Sequence, residues 1–165
     1  LDKKYKIDIF FSEEKKLLNT GGGIKNALKI INEKEFFVIN SDIVWSEKKK
    51  NPFNNLKNFW NKNKMDALLL LYPVEKINNK ISGDFCLDSS GKLLKKRKNS
   101  SQYIFTGIQI LKSNLFKKIK QNSFPLSLIY KKLIKEKKIY GLVYKGKWFH
   151  LGTLESLKKY QKMIQ

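Results

Sequence analysis

The chain has 165 residues, 41% of them hydrophobic, which fits one domain with a real core and excludes a disordered chain. Cys86 is the single cysteine, so no internal disulfide framework is possible, and no apolar run approaches the roughly 18 residues of a membrane span. A net charge of +21, from 35 basic and 14 acidic residues, draws anions to the surface; a cytoplasmic protein with no membrane partner is expected.

In chain order, Lys6 to Phe11 reads as a strand with one partly polar face. Ser12 to Leu18 is a polar connection. Asn19-Thr20-Gly21-Gly22-Gly23 follows, then a helical pattern in which Ile24, Ala27, Leu28 and Ile31 share a face. Phe36 to Ile39 fits a short buried strand ending on Asn40-Ser41-Asp42. Asn51 can cap the next helix and Pro52 suits its first position, with Phe53, Leu56 and Trp60 along its apolar face. Asp66 to Tyr72 is a second buried strand. This alternation of strand and helix predicts a parallel sheet covered by helices.

The second half changes character. Gly83 to Asp88 alternates like a strand, Ser89-Ser90-Gly91 forms a turn and Lys92 to Leu94 leads out of it, which predicts a hairpin. Tyr103 to Leu111 is a strand with Thr106-Gly107 inside it. Ser113 can cap a short helix. Pro125 opens a longer one, striped by Leu126, Ile129, Tyr130, Leu133 and Ile134. Ile139 to Tyr144 is a strand, and Thr153 caps a last helix with Glu155 in its first turn. No repeat or linker divides the chain, so residues 1–165 read as one domain.

Charge alone points to a nucleic-acid-binding domain. The kind of charge argues against it. Arg97 is the only arginine, whereas base readers and phosphate clamps favour arginine's planar fork. The lysines are spread along the chain. A solvated lysine surface with no nucleic-acid partner is expected, and the same field suits an anionic small substrate.

Four constellations carry chemistry. Thr20-Gly21-Gly22-Gly23, read between a strand and a helix, either lets a flat ligand approach the backbone and a helix N-terminus, or is a flexible turn. Asn40-Ser41-Asp42 ends a buried strand, where open α/β sheets bind ligands. Asp42 there either holds Mg²⁺ against a triphosphate or forms a turn or cap. Trp148-Phe149-His150 holds the only histidine, either a functional group or a hydrogen-bonded structural residue. Gly83-Asp84 and Thr106-Gly107 mark bulges, bends or the floor of a sugar pocket.

Taken together, these segments resemble the sugar-1-phosphate nucleotidyltransferases, in particular the N-acetylmuramate-1-phosphate uridylyltransferase-like and mannose-1-phosphate guanylyltransferase-like groups. Leu17 to Lys25 is similar to their "LLETGGGI" segment, and Phe37 to Asp42 to "FLVVNGD". Gly83 to Asp88 is similar to "GDFxLD", Phe105 to Ile108 to "xxGI", Phe124 to Leu126 to "FPL", and Trp148 to Thr153 to "WxDVGT". The resemblance implies a Rossmann-like three-layer α/β/α sandwich with a mostly parallel mixed sheet. It implies transfer of a nucleoside monophosphate from UTP or GTP to a sugar 1-phosphate, with Mg²⁺ as cofactor and pyrophosphate released. Carried over, Thr20, Gly21, Gly22, Gly23 and Asn40 would meet the nucleotide. Gly83, Asp84, Thr106, Gly107 and Trp148 would meet the sugar phosphate, and Asp42 and His150 would be catalytic and hold the metal.

Two departures from the family pattern stand out. His150 replaces the aspartate of "WxDVGT". Nothing in Leu1 to Phe11 resembles the family's glycine-rich triphosphate loop, so the first strand and that loop are expected to be missing and residues 1–165 alone to be inactive. A non-catalytic relative that binds nucleotide-sugars is the alternative.

Overall fold

One strand with no exposed position organises the molecule. In the computed structural model, which describes residues 7–46, 51–77, 82–96 and 102–164, β3 (Ala67–Pro73) is buried at every residue, as a strand covered on both faces must be. For clarity the strands are β1 (Glu35–Ile39), β2 (Ile43–Ser46), β3, β4 (Phe85–Leu87), β5 (Leu93–Lys95), β6 (Tyr103–Lys112), β7 (Ile139–Val143) and β8 (Lys147–His150). The helices are α1 (Asn19–Ala27), α2 (Pro52–Phe59), α3 (Asn114–Lys117), α4 (Ser127–Lys135) and α5 (Leu154–Ile164).

β3 pairs in parallel with β7 and antiparallel with β6. The opposite edge of β6 takes β1, from Glu35↔Lys112 to Ile39↔Ile108, and then β4 through Phe85↔Tyr103. β4 turns back into β5 as the expected hairpin, with Gly91 at a φ of +80°. Thus β1, β3, β4 and β7 run one way, and β5 and β6 the other. The parallel sheet read from the strand–helix alternation gives way to a mixed one: β6 inserts between β1 and β3, so the only parallel pairing among the described strands is β3 with β7.

The two faces of β3 alternate, as strand geometry requires. Ala67, Leu69 and Leu71 pack with Phe124, Leu126, Ile129 and Leu133, and Ile24 and Leu28 of the α1 region join them. Leu68, Leu70 and Tyr72 pack with Leu56 of α2, Ile43 and Tyr144 on the other side. Helices therefore cover both faces. Asn51 caps α2 as expected, its Oδ1 accepting from the Phe53 and Asn54 N–H groups at 2.9 and 3.3 Å. Thr153 Oγ1 accepts from Ser156 N at 3.1 Å beside α5. Buried Tyr130 donates its hydroxyl to Gln109 at 2.7 Å, and burial pushes that phenol well above its ordinary pKa.

Several expectations give way. Residues 7–11 form no strand, and Phe11 is 84% exposed; a strand needs a partner edge, and none of the described strands pairs with this segment, while Lys6 lies outside the described residues. β1 is an edge strand, with Phe37 and Ile39 exposed, because only its β6 side is paired among the described strands. Ser113 makes no side-chain cap to α3. The helix face read to Ile31 stops early, since α1 ends at Ala27.

The glycine run is not a loop ahead of a helix. Gly21, Gly22 and Gly23 lie inside α1, which starts at Asn19 in a left-handed conformation with φ of 59°. The reason is close packing against the segment before α4. Gly21 and Gly22 N–H both donate to the Phe124 carbonyl, at 3.0 and 3.2 Å. A Cβ on Gly21 would lie 2.4 Å from the Phe124 ring, and one on Gly23 2.5 Å from the Glu14 carboxylate.

That packing gives a signed prediction. Alanine favours a helix over glycine by about 1 kcal/mol, so propensity alone would stabilise Gly22→Ala. Its Cβ would sit 2.1 Å from the Asn122 carbonyl oxygen, a backbone atom that cannot swing aside. A net loss of about 1–3 kcal/mol is expected, read as a lower urea midpoint with an unchanged slope.

Candidate active site

The site begins with an irregularity in the sheet. Leu69 pairs with Gln109 and Leu71 with Phe105, so the β3–β6 register shifts between them. Leu70 is left needing a partner there. The fully buried Thr106 supplies it: Oγ1 donates to the Leu70 carbonyl at 2.9 Å and lies 3.4 Å from the Ile108 N–H. Gly107 follows with φ of +89°, a conformation that favours glycine. A Cβ there would also lie 3.0 Å from the Asn40 side chain. Asn40 in turn donates its N–H to the Gly107 carbonyl at 2.9 Å, at the C-terminal end of β1.

Chain continuity then carries Asp42 into an antiparallel ribbon. β2 pairs with β8 from Ile43↔His150 to Ser46↔Lys147, and Leu151 N–H donates to the Asp42 carbonyl at 2.7 Å. Asp42 Oδ2 and His150 Nε2 come to 3.0 Å, with side chains 44% and 55% exposed. A Cβ on Gly152 would sit 2.8 Å from the His150 ring and 3.3 Å from Asp42 Oδ2. Trp148 lies behind the pair. Its indole N–H donates to the Thr106 carbonyl at 3.0 Å. Its ring lies 5.7 Å from that of Tyr72, and stacks on His150 at 6.3 Å and 11°. Burial raises the Tyr72 hydroxyl above its ordinary pKa.

A cleft of about 500 Å³ opens beside this stack. Tyr72, Trp148, His150 and Tyr160 give it aromatic walls, and Lys76, Lys147 and Lys159 give it positive charge. Aromatic faces suit a sugar or base, and ammonium groups suit phosphate.

Asn40, Asp42, Thr106, Gly107, Trp148 and His150 are therefore brought together. Gly83 and Asp84 stand further along β6: Gly83 N–H donates to Gln102 at 2.8 Å, and Asp84 accepts from Phe105 N–H at 2.9 Å. Thr20, Gly21, Gly22 and Gly23 form a separate group, whose contacts run to residues 122–124 and Glu14. Sequence reasoning missed the β2–β8 ribbon and the role of Tyr72. The run Ile43-Val44-Trp45 is β-branched and aromatic, and that enrichment was the available signal for a strand.

The family model for nucleotidyl transferases matches residues 1–165. The chain belongs to this family. It is 29% identical over 147 residues to the N-acetylmuramate alpha-1-phosphate uridylyltransferase of Caulobacter vibrioides, covering 87% of this chain and 61% of that protein. It is 25% identical over 169 residues to a probable mannose-1-phosphate guanylyltransferase 3 of Arabidopsis thaliana, covering 98% of this chain and 50% of that protein. Among solved structures, HddC from Yersinia pseudotuberculosis complexed with GMP-PN superposes with a TM-score of 0.69 at 21% identity, over 92% of this chain and 65% of that one. The chain thus spans about half to two thirds of the length of these relatives. The fold is the Rossmann-like α/β/α arrangement that the motifs implied.

Nucleotidyl transferases of this kind typically use a divalent metal. Among the described residues, no group of three or more His, Cys, Asp or Glu side chains converges. Asp42 and His150 offer one carboxylate and one imidazole. That donor set fits a dication whose remaining ligands are phosphate oxygens and water. No helix among the described residues is long and apolar enough to cross a membrane.

The Trp148 anchor is testable by itself. Trp148→Phe keeps a ring between Tyr72 and His150 but removes the donor to Thr106. Leaving that carbonyl short of a partner costs about 1–3 kcal/mol, read by urea unfolding. Trp148→Ala removes the stack as well and is expected to cost more.

Proposed function

We propose that this nucleotidyl transferase joins a nucleoside triphosphate, UTP or GTP, to a sugar 1-phosphate, giving an NDP-sugar and pyrophosphate. The observation that carries the reading is the Asp42–His150 pair at 3.0 Å, beyond the C-terminal end of β1 and beside the Gly107 turn. In open α/β sheets, ligands bind at that end of the strands. The relatives' named activities, uridylyl and guanylyl transfer to sugar 1-phosphates, support it.

The reaction asks little covalent work of the protein. A sugar-phosphate oxygen attacks the α-phosphorus in line and pyrophosphate leaves, so positioning and charge neutralisation do most of the catalysis. In this reading Asp42 and His150 would hold Mg²⁺, which would supply charge neutralisation and a template for the two phosphates. Asn40 and the Thr20–Gly23 segment approach the nucleotide. Gly21 and Gly22 already donate their N–H groups to Phe124, so their part is to bring the backbone close rather than to donate. Gly83, Asp84, Thr106 and Gly107 lie toward the sugar phosphate, and Trp148 walls its pocket. Thr106 acts through its backbone and position, because its hydroxyl is committed to Leu70. The lysine field draws in the two anionic substrates, and the cytoplasm, where such substrates are made, is the expected location.

A second reading has one observation in its favour: Asp42 already has His150 as a partner. It makes the protein a non-catalytic binder of nucleotide-sugars. One assay separates the two. The whole gene product is incubated with Mg²⁺, UTP or GTP and a panel of sugar 1-phosphates, and pyrophosphate is measured. Turnover with at least one pair is expected, falling on the order of a hundredfold in Asp42→Asn, the equivalent of about 3 kcal/mol of barrier. No turnover with any pair, together with calorimetric binding of an NDP-sugar, would establish the second reading instead.

A further inference from the structure

We infer that His150 makes the divalent-ion site selective for a first-row transition ion of the Mn²⁺ class over Mg²⁺. The inference rests on the assignment of Asp42 as the carboxylate that holds the ion.

Donor chemistry comes first. Mg²⁺ demands oxygen ligands in near-ideal octahedral geometry and gives up its waters reluctantly. Imidazole nitrogen suits transition ions, and affinity at a given nitrogen–oxygen site rises from Mn²⁺ along the first row. A carboxylate–imidazole pair therefore gains on Mn²⁺ and loses on Mg²⁺ relative to two carboxylates.

Geometry comes second. The two donor atoms, Asp42 Oδ2 and His150 Nε2, stand 3.0 Å apart. Two ligands at right angles, each about 2.1 Å from one ion, are separated by about 3.0 Å, so the observed spacing matches adjacent positions of an octahedral shell. A modest rotation of each side chain turns the hydrogen bond into a chelate. The spacing is set by the backbone: Ile43↔His150 pairing and the 2.7 Å bond from Leu151 N–H to the Asp42 carbonyl hold both residues in register.

Restraint comes third. The His150 ring lies parallel to that of Trp148, at 11° and 6.3 Å between centroids, which favours the orientation that faces Asp42. On the other side stands Gly152. A Cβ there would crowd both the imidazole, at 2.8 Å, and the carboxylate, at 3.3 Å. The bare Cα is what lets the backbone pass this close to the pair and confines both side chains on that side.

The test reads metal binding, not turnover. Mn²⁺ binding to the whole gene product is followed by electron paramagnetic resonance, and Mg²⁺ is titrated in as competitor. For the wild type, Mn²⁺ is expected to bind more tightly than Mg²⁺. His150→Asp should lower the Mn²⁺-over-Mg²⁺ ratio by at least about tenfold, the lower end of what tuning groups around a metal contribute. His150→Asn, close to the imidazole in size, should weaken Mn²⁺ by a similar factor while Mg²⁺ changes less. Circular dichroism confirms the fold of each variant, which the exposed position of His150 favours. A ratio unchanged by His150→Asp overturns the inference and leaves the Asp42 assignment standing. Mn²⁺ and Mg²⁺ binding both unchanged in Asp42→Asn would overturn the assignment and the inference with it.

Discussion

A buried backbone carbonyl that loses its ladder partner must find another donor. At Leu70 the sheet meets that demand with the Thr106 hydroxyl, at 2.9 Å, and the site is built outward from this bond. The register shift it accommodates turns Gly107 to a φ of +89°. Gly107 presents its carbonyl to Asn40, and Thr106 presents its own to the Trp148 indole. Through Asn40 the end of β1 is fixed, and with it the start of the β2 strand that carries Asp42. Through Trp148 the β8 strand is fixed, and with it His150. Two residues 108 positions apart in sequence meet because one threonine on the central antiparallel strand bonds sideways instead of leaving a polar atom bare.

This explains what could and could not be read from the sequence. Elements set by local chemistry were legible. Asn51 before Pro52 announced α2 because a capping side chain and a fixed proline φ act within a few residues. The run through Leu68 to Leu71 announced β3 because a strand buried on both faces needs apolar residues without alternation. The Ser89-Ser90-Gly91 turn announced the hairpin. That Asp42, His150, Thr106 and Gly107 belong to one neighbourhood was suggested only by the resemblance of ordered motifs.

Other features depend on partners far away in sequence. Whether β1 is buried depends on what lies beside it, and its five residues look the same either way. Gly21 to Gly23 carried the composition of a loop, yet they are helical, and they are glycines because Phe124, Asn122 and Glu14 occupy the space that side chains would need. The β2–β8 ribbon is four residues a side, too short for periodicity to register above chance. Charge is less specific still. A value of +21 carried by lysines spread along the chain does not by itself single out one face. The cleft beside Trp148 shares in that field without being defined by it; the aromatic walls of Tyr72, Trp148 and Tyr160 distinguish it.

Under the proposed assignment, His150 keeps the position of a ligand while changing its donor chemistry. The ribbon register, the Leu151–Asp42 backbone bond and the small Gly152 would position an aspartate at 150 as well as they position a histidine. What differs is the unliganded state. Two carboxylates at hydrogen-bonding distance repel each other until a cation arrives, so an ion is needed to relieve the site. A carboxylate and an imidazole at 3.0 Å satisfy each other. An ion held by this pair would compete with that existing hydrogen bond and would gain a nitrogen donor in return. A hard ion gains least from that exchange and a borderline one gains most. Under the proposed assignment, the histidine shifts which ion the pair would favour, while the ribbon register that positions the two residues is left as it was.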